Sequence, residues 1–457
     1  MDTTPERPVV REHPVDGIAE VSRSELRTVL LSTVVGTTVE WYDFFLYGVA
    51  AGIVFNKLYF PSHDPVVGTL LAFATFAIGF VARPIGGVFF GHVGDRVGRK
   101  KTLVITMMIM GVATFLIGAL PSYSTLGVAA PVLLIVLRIA QGVAIGGEWG
   151  GAVLMATEYA PQGRRGLFGS IPQMGLAIGL MLGTGVFAAL NASMSDDAFF
   201  SWGWRVAFAL SALLVLVGLF IRLKVMETPA FRKLEAEEEK AAVPALELVR
   251  SARNRRHLLL GMGARWIEGL VFNTWAVFVI SYGTGNLALT RSTMLAAVML
   301  GATILLALIP AAGVLSDRWG RRNTFALGIV ASVLAAGIAF EMLATKEATT
   351  VTLAVVLALG VAYPLMYGPE AAFFTEFFPP RVRYTGISVV YQLSGIFASG
   401  LTPLILTWLL ERGGGQLGLI RWYFIAVGAV SLACTLAIRH RDLVDDEPVV
   451  MDEVTRN

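Results

Sequence analysis

Gly91-His92-Val93-Gly94-Asp95-Arg96-Val97-Gly98-Arg99-Lys100 returns far along the chain as Gly313-Val314-Leu315-Ser316-Asp317-Arg318-Trp319-Gly320-Arg321-Arg322. Both stretches read G-x-x-x-D-R-x-G-R-[RK]. Each follows a long apolar run and precedes another. Two copies in equivalent places are hard to reach by chance, so they mark matching points in an internal repeat.

Working outward, apolar runs fill both halves. The 457 residues are 55% hydrophobic and only 15% charged, with a mean hydropathy of +0.69. Soluble domains carry roughly 25% charged residues, and a membrane-crossing helix needs roughly 20 apolar ones. Twelve spans are expected, at 27–55, 66–90, 102–121, 127–157, 166–191, 203–222, 257–283, 289–313, 324–345, 350–371, 384–410 and 418–438. The basic loops alternate: Arg96 to Lys101, Arg164 and Arg165, Arg250 to Arg256, Arg318 to Arg322, Arg381 and Arg383. That alternation places both termini in the cytoplasm. A charged linker, 223–256, separates an N-terminal six-helix bundle at 27–222 from a C-terminal one at 257–439, with tails at 1–26 and 440–457. The net charge of +3 is spread over alternate loops and gives no sign of nucleic-acid binding. One cysteine, Cys434, leaves no intrachain disulfide and no zinc or redox motif.

The first span contains Glu40 and Asp43 in an otherwise almost uncharged run. A carboxylate at that depth costs on the order of 3 kcal/mol. Three residues apart, the two fall on one helix face. Their reading is proton binding, substrate gating or both; the plainer alternative is a fixed ion pair. Burial disfavours a charged carboxylate and a nearby arginine favours it, so a carboxyl whose surroundings change can load and release a proton. Asp43 is the first choice for the proton, with Glu40 and Glu148 beside it.

Arg138 and Gln141 in the fourth span share a similar sector with Glu148. Arginine is not neutralised in practice, so Arg138 needs a carboxylate or an anionic substrate. Arg83, before Pro84, either grips a substrate carboxylate or satisfies carbonyls freed by the proline. In the second half Arg265 and Glu268 lie one turn apart, with Asn273 and Trp275 further along. Tyr363, Tyr367 and Glu370 form a stripe at i, i+4 and i+7. Trp41, Tyr42, Gln173, Tyr391 and Gln392 complete the candidate substrate contacts, each equally able to serve as helix packing. Asp95, Arg96, Arg99, Asp317, Arg318 and Arg321 read as gating ion pairs at the cytoplasmic ends of spans.

The duplicated motif resembles that of the major facilitator superfamily. Five further segments resemble its metabolite:proton symporter family: 36–44 (GTTVEWYDF), 82–87 (ARPIGG), 146–151 (GGEWGG), 202–205 (WGWR) and 227–231 (ETPAF). The resemblance covers about Leu26 to Arg441 and is nearest to shikimate-transporter-like members. It implies an all-α integral membrane protein, with twelve transmembrane helices in two pseudo-symmetric six-helix bundles that rock around a central cavity. It also implies proton-coupled uptake of a small organic anion such as shikimate, 2-oxoglutarate or another carboxylate. The partners implied are that anion, protons and membrane lipid. The site is the cell inner (plasma) membrane, and the working unit is a monomer.

A zwitterionic osmolyte is the alternative cargo, although the osmoprotectant type has a long C-terminal coiled coil and the tail here has no heptads. A transporter-like membrane sensor is a third reading. An enzyme is not expected, since no metal cluster, nucleophile–base pair or phosphate loop is visible, and no cofactor or metal is called for.

Overall fold

The computed structural model describes residues 23–61, 65–97, 99–224, 244–439 and 443. Within these, the side chains of 23–25, 65, 66, 69, 94–97, 99, 100, 222, 224, 244, 245, 380 and 381 are not described, so the expected roles of Asp95, Arg96 and Arg99 lie outside the described residues, as does most of the linker. Among the described residues, twelve long helical units are present. They are α1 (23–58), α2 (Pro65–Val97), α3 (Arg99–Ala119), α4 (129–158), α5 (Arg165–Ser193), α6 (196–224), α7 (252–285), α8 (Arg291–Trp319), α9 (Arg321–Ala344), α10 (348–375), α11 (380–412) and α12 (Gly418–Ala437). Short helices occupy Tyr123–Leu126 and Pro244–Arg250. The twelve-helix fold expected from the repeat is the one observed.

Among the described residues, ten helices are long and apolar enough to cross a membrane, namely α2–α6 and α8–α12. The two that fall short, α1 and α7, hold Glu40 with Asp43 and Arg265 with Glu268 at the depth where their neighbours are apolar. These two helices also loosen in corresponding places, with π-helical turns at Ala51–Phe55 and Thr274–Phe278. Turns of that kind recur in α10 at Val356–Ala362 and in α11 at Ile396–Gly400. A π turn shifts the side-chain register within a helix and is often found near functional residues.

Large apolar side chains such as Ile85, Phe89, Leu213, Phe220, Leu334 and Trp422 point outward, as a lipid-facing surface requires. Inside, lipid supplies no hydrophobic driving force between helices, so close packing holds them. Gly142 lies against the Gly79 carbonyl and Gly146 against that of Arg83, which brings α4 onto α2 with no room for a Cβ. Gly175 and Gly179 seat α5 on Thr37 and Trp41 of α1 in the same way. Gly166 of α5 and Gly313 of α8 meet across the two halves.

Several boundaries differ from those expected. The eighth span continues to Trp319, so Asp317 and Arg318 are helical. Only Gly320, with φ 92°, separates α8 from α9, and glycine alone takes that conformation without strain. The seventh span begins at Ala252, so His257, expected as its first residue, is buried inside α7 with Nδ1 2.8 Å from the Phe377 carbonyl oxygen.

Candidate functional site

Asp43 is fully buried and belongs to the interior of the N-terminal half. Ser211 of α6 donates to its Oδ1 at 2.5 Å, and Thr114 of α3 to its Oδ2 at 2.8 Å. Thr114 in turn accepts from Gln141 Nε2 at 2.7 Å, and Gln141 Oε1 accepts from the Arg138 guanidinium at 2.5 Å. The carboxylate therefore communicates with Arg138 through two neutral side chains. Among the described residues these two charges form no direct ion pair. The Arg138 guanidinium lies 4.0 Å from the Tyr47 ring and 5.4 Å from that of Phe76. A side chain at Gly79 would displace it.

This network suits a carboxyl in either protonation state. The Thr114 hydroxyl has a second acceptor, the Met110 carbonyl at 3.0 Å. Hydroxyls donate or accept as the rotor turns. Were Asp43 to gain a proton on Oδ2, Thr114 could accept from it and turn its own hydrogen to Met110, leaving no buried group of this pair unpaired.

Between the halves lies a second, smaller constellation. A pocket of about 10 Å³ is lined by Trp41, Phe44, Phe80 and Arg83 from the first half and by Arg265, Glu268, Phe272, Asn273 and Tyr391 from the second. Arg83 stacks 4.2 Å from Phe80 and 5.2 Å from Phe44, and it is within electrostatic reach of Glu40 and Arg265. Glu40 and Asp43 thus belong to different networks, although they share a helix. Arg265 pairs with Glu268 at 3.3 Å and with Glu370 at 3.2 Å, and it donates to Ser394 at 3.1 Å. Its guanidinium lies 3.6 Å from the Tyr391 ring. Tyr391 also stacks on Trp149 of the first half, with centroids 3.7 Å apart. Tyr363 donates to Glu268 and stacks on Tyr367.

At one end a cavity of about 570 Å³ opens between the halves, past Phe45, Gly52, Asn56, Lys57, Asp196 and Arg291. Phe45 packs on Trp41 and Phe272 at 5.6 and 5.5 Å, so three aromatic rings divide this vestibule from the small polar pocket. The opposite end is shut. Asp317 accepts from the backbone N–H groups of Gly166 and Leu167 at 2.7 and 2.9 Å, where the first turn of α5 favours negative charge. Arg321 pairs with Asp317 at 3.5 Å and also with Glu376. Tyr384 donates to the Gly147 carbonyl, and Gln392 to that of Gly146 at 3.0 Å. Gln173 accepts from Trp149 at 3.1 Å and donates to the Tyr367 carbonyl at 3.3 Å.

The structure thus gathers the expected residues into three groups. Asp43, Arg138 and Gln141 form the inner relay, and Glu148 is buried within electrostatic reach of Asp43. Arg83, Arg265, Glu268, Asn273, Trp41 and Tyr391 surround the pocket, with Tyr363 and Tyr367 behind it. Gln173 and Gln392 cross-link the halves, and Asp317 and Arg321 close one end. Tyr42 turns to α6, donating to the Ala207 carbonyl at 2.7 Å. Trp275 is core, stacked on Phe340. Arg318 is exposed. Thr114 and Ser211 were not expected: a lone hydroxyl in an apolar helix ordinarily bonds its own backbone. Trp149 stood in a quoted motif with no role attached.

Two halves of six helices, closed together at one end, open at the other and enclosing a charged pocket, define a membrane transporter. The profile of the Major Facilitator Superfamily matches residues 33–391 and 292–450. The chain belongs to that superfamily, among its metabolite:proton symporter-like members. It is 39% identical over 421 residues to the inner membrane metabolite transport protein YhjE of Escherichia coli, covering 91% of this chain and 95% of that protein. To the shikimate transporter of the same organism it is 36% identical over 441 residues, covering 96% and 99%. Its identity to the E. coli proline/betaine transporter is 33% over 445 residues, covering 94% and 88%. The proton:xylose symporter XylE, solved with 6-bromo-6-deoxy-D-glucose, superposes with a TM-score of 0.73 at 17% identity, over 92% of this chain and 96% of that one, a likeness of fold alone. The protein is accordingly a multi-pass inner-membrane transporter of a small molecule, not an enzyme.

Proposed function

We propose that the protein is a proton-coupled symporter that takes up a small organic anion by alternating access, with both termini in the cytoplasm. The observation that carries this reading is the pairing of two features: a fully buried carboxylate in a hydroxyl network that suits it charged or neutral, and Arg83 presented to a pocket between the halves. Asp43 binds the coupled proton, and Arg138 senses its charge through Gln141 and Thr114. Arg83 receives the substrate carboxylate against the aromatic walls of Phe44 and Phe80. The basic ends of the helices lie at the shut end, so the structure is read as facing outward with the cytoplasmic side locked by Asp317. For a monoanion carried with one proton no net charge moves, and the pH gradient alone drives uptake. Each further proton adds about 2.3 kcal/mol per 100 mV.

A zwitterionic cargo is the second reading. Glu268 lines the same pocket as Arg83, and Trp41, Phe44 and Phe80 offer ring faces suited to a quaternary ammonium. The similarity to the proline/betaine transporter supports it.

Thermal stabilisation of the purified protein by carboxylates, betaines and sugars, at acidic and mildly alkaline pH, separates these readings, since a binder stabilises by mass action. Stabilisation by carboxylates that strengthens in acid is the expected result, and stabilisation by sugars alone overturns it. For the coupling, Asp43→Asn in proteoliposomes should abolish proton-driven accumulation of shikimate while sparing exchange across a closed gradient. Normal accumulation by this variant would remove Asp43 from the role.

A further inference from the structure

The C-terminal half holds an unbalanced buried charge that the proposed coupling through Asp43 does not use. Glu268, Glu370 and Arg265 are 2%, 0% and 3% exposed. Two carboxylates thus share one guanidinium in a buried site. If both were ionised, the cluster would carry an uncompensated negative charge, which burial makes costly. Two carboxyls sharing one site commonly settle this by holding one proton between them.

The surroundings distinguish the two. Glu268 receives the Tyr363 hydroxyl on Oε1, while its Oε2 lies 3.3 Å from Arg265 Nη2 without an aligned donor. Glu370 has only the 3.2 Å approach of Arg265 Nε, and neither of its oxygens has an aligned donor. The other titratable or charged groups facing it are the phenols of Tyr363, Tyr367 and Tyr391, and beyond them Arg83, which Glu40 balances in the first half. No second cation reaches Glu370 among the described residues. Glu268 lines the interdomain pocket, whereas Glu370 sits behind it.

We propose that Glu370 and Glu268 form a second proton-binding site, in which one proton from solvent adds to a Glu370 oxygen while Glu268 stays ionised against Arg265 and Tyr363. The proton reaches Glu370 through the pocket and past Glu268. A substrate carboxylate drawn toward Arg265 would compete with Glu268 for it, and so would change which carboxyl holds the proton. This last step rests on the transport reading above; the shared proton itself does not. With Asp43 also loaded, two protons would accompany each anion, and uptake would respond to membrane voltage.

Infrared difference spectroscopy on the purified full chain tests the site without any substrate, because a protonated carboxyl has a C=O stretch apart from the carboxylate bands. At neutral pH the wild type should show this band, and Glu370→Gln should remove it. Asp43→Asn should leave this component in place. Glu268→Gln should remove it as well, since Glu370 would then have Arg265 to itself and ionise. Arg265→Gln should strengthen it. A band that neither glutamate variant diminishes, or one that disappears entirely with Asp43→Asn, overturns the proposal. Neither outcome touches the reading of Asp43 as the coupling carboxyl, which is decided by accumulation and exchange.

Discussion

Arg83 shows how much a single side chain decides. It is 3% exposed, has two phenyl rings for neighbours and is aimed at a pocket that Glu268 and Arg265 also reach. A guanidinium grips a carboxylate with two parallel hydrogen bonds, and a lysine presents a point charge. On the proposed organic-anion reading, Arg83→Lys should therefore raise the KM for uptake by roughly 10- to 100-fold, the equivalent of about 1.5–3 kcal/mol for a charge-assisted contact. The maximal rate should fall far less. A KM within error of the wild type would place the substrate carboxylate elsewhere. At this scale the sequence was a partial guide. Glu40, Asp43, Arg83, Arg138 and Arg265 are visible because charge within an apolar run has few explanations. Thr114 and Ser211 are not, because hydroxyls in helices satisfy their own backbone, as Thr114 can with Met110. That Glu40 and Asp43 join separate networks depends on which helices face α1, and helical spacing alone does not specify that.

Glycine faces set the geometry of the elements. Gly146 brings α4 against the Arg83 carbonyl, and the same contact fixes where the Arg83 side chain begins. Adding a methyl there forces backbone to shift. Gly146→Ala should lower stability by about 1–3 kcal/mol and impair uptake with it, as thermal unfolding in detergent and transport assays would report. Gly337 in α9 has open space around its missing Cβ and is exposed. Gly337→Ala should leave both unchanged or raise stability slightly through helix propensity. Equal losses from the two variants would refute the packing argument. The helices themselves were legible from apolar length, and even α1 and α7 could be placed despite their charges. Their ends were less so. Apolar content stops at the membrane face, whereas α8 continues as a polar helix until Gly320, so Asp317 rides on a rigid element and not on a loop.

That rigidity matters for the molecule as a whole. Asp317, itself paired with Arg321, caps α5 of the opposite half, and with Tyr384 and Gln392 it holds one end shut while the vestibule stays open at the other. Losing the two charge-assisted bonds of Asp317 removes roughly 1.5–3 kcal/mol each at most, enough to invert a balanced two-state population. Asp317→Asn should thus increase the accessibility of the shut end to a thiol reagent at an introduced cysteine, in a Cys434→Ser background that removes the chain's one native thiol. Unchanged labelling would mean that the other cross-links suffice. The repeat singles this residue out in the sequence, but its partner, a bare helix start in the other half, has no side-chain signature to find.

The pocket at the centre holds no more than about one water molecule's worth of space, yet only three aromatic rings separate it from a vestibule more than fifty times larger. On the proposed reading, a cargo bound at Arg83 must wedge the rings apart, and it completes the cycle only if they meet again behind it. An elongated analogue, with its carboxylate on Arg83 and its tail left between Phe45 and Phe272, would bind like a substrate and jam the hinge like a doorstop. Such a molecule should compete for binding yet undergo no counterflow, which makes the aromatic partition a foothold for inhibitor design.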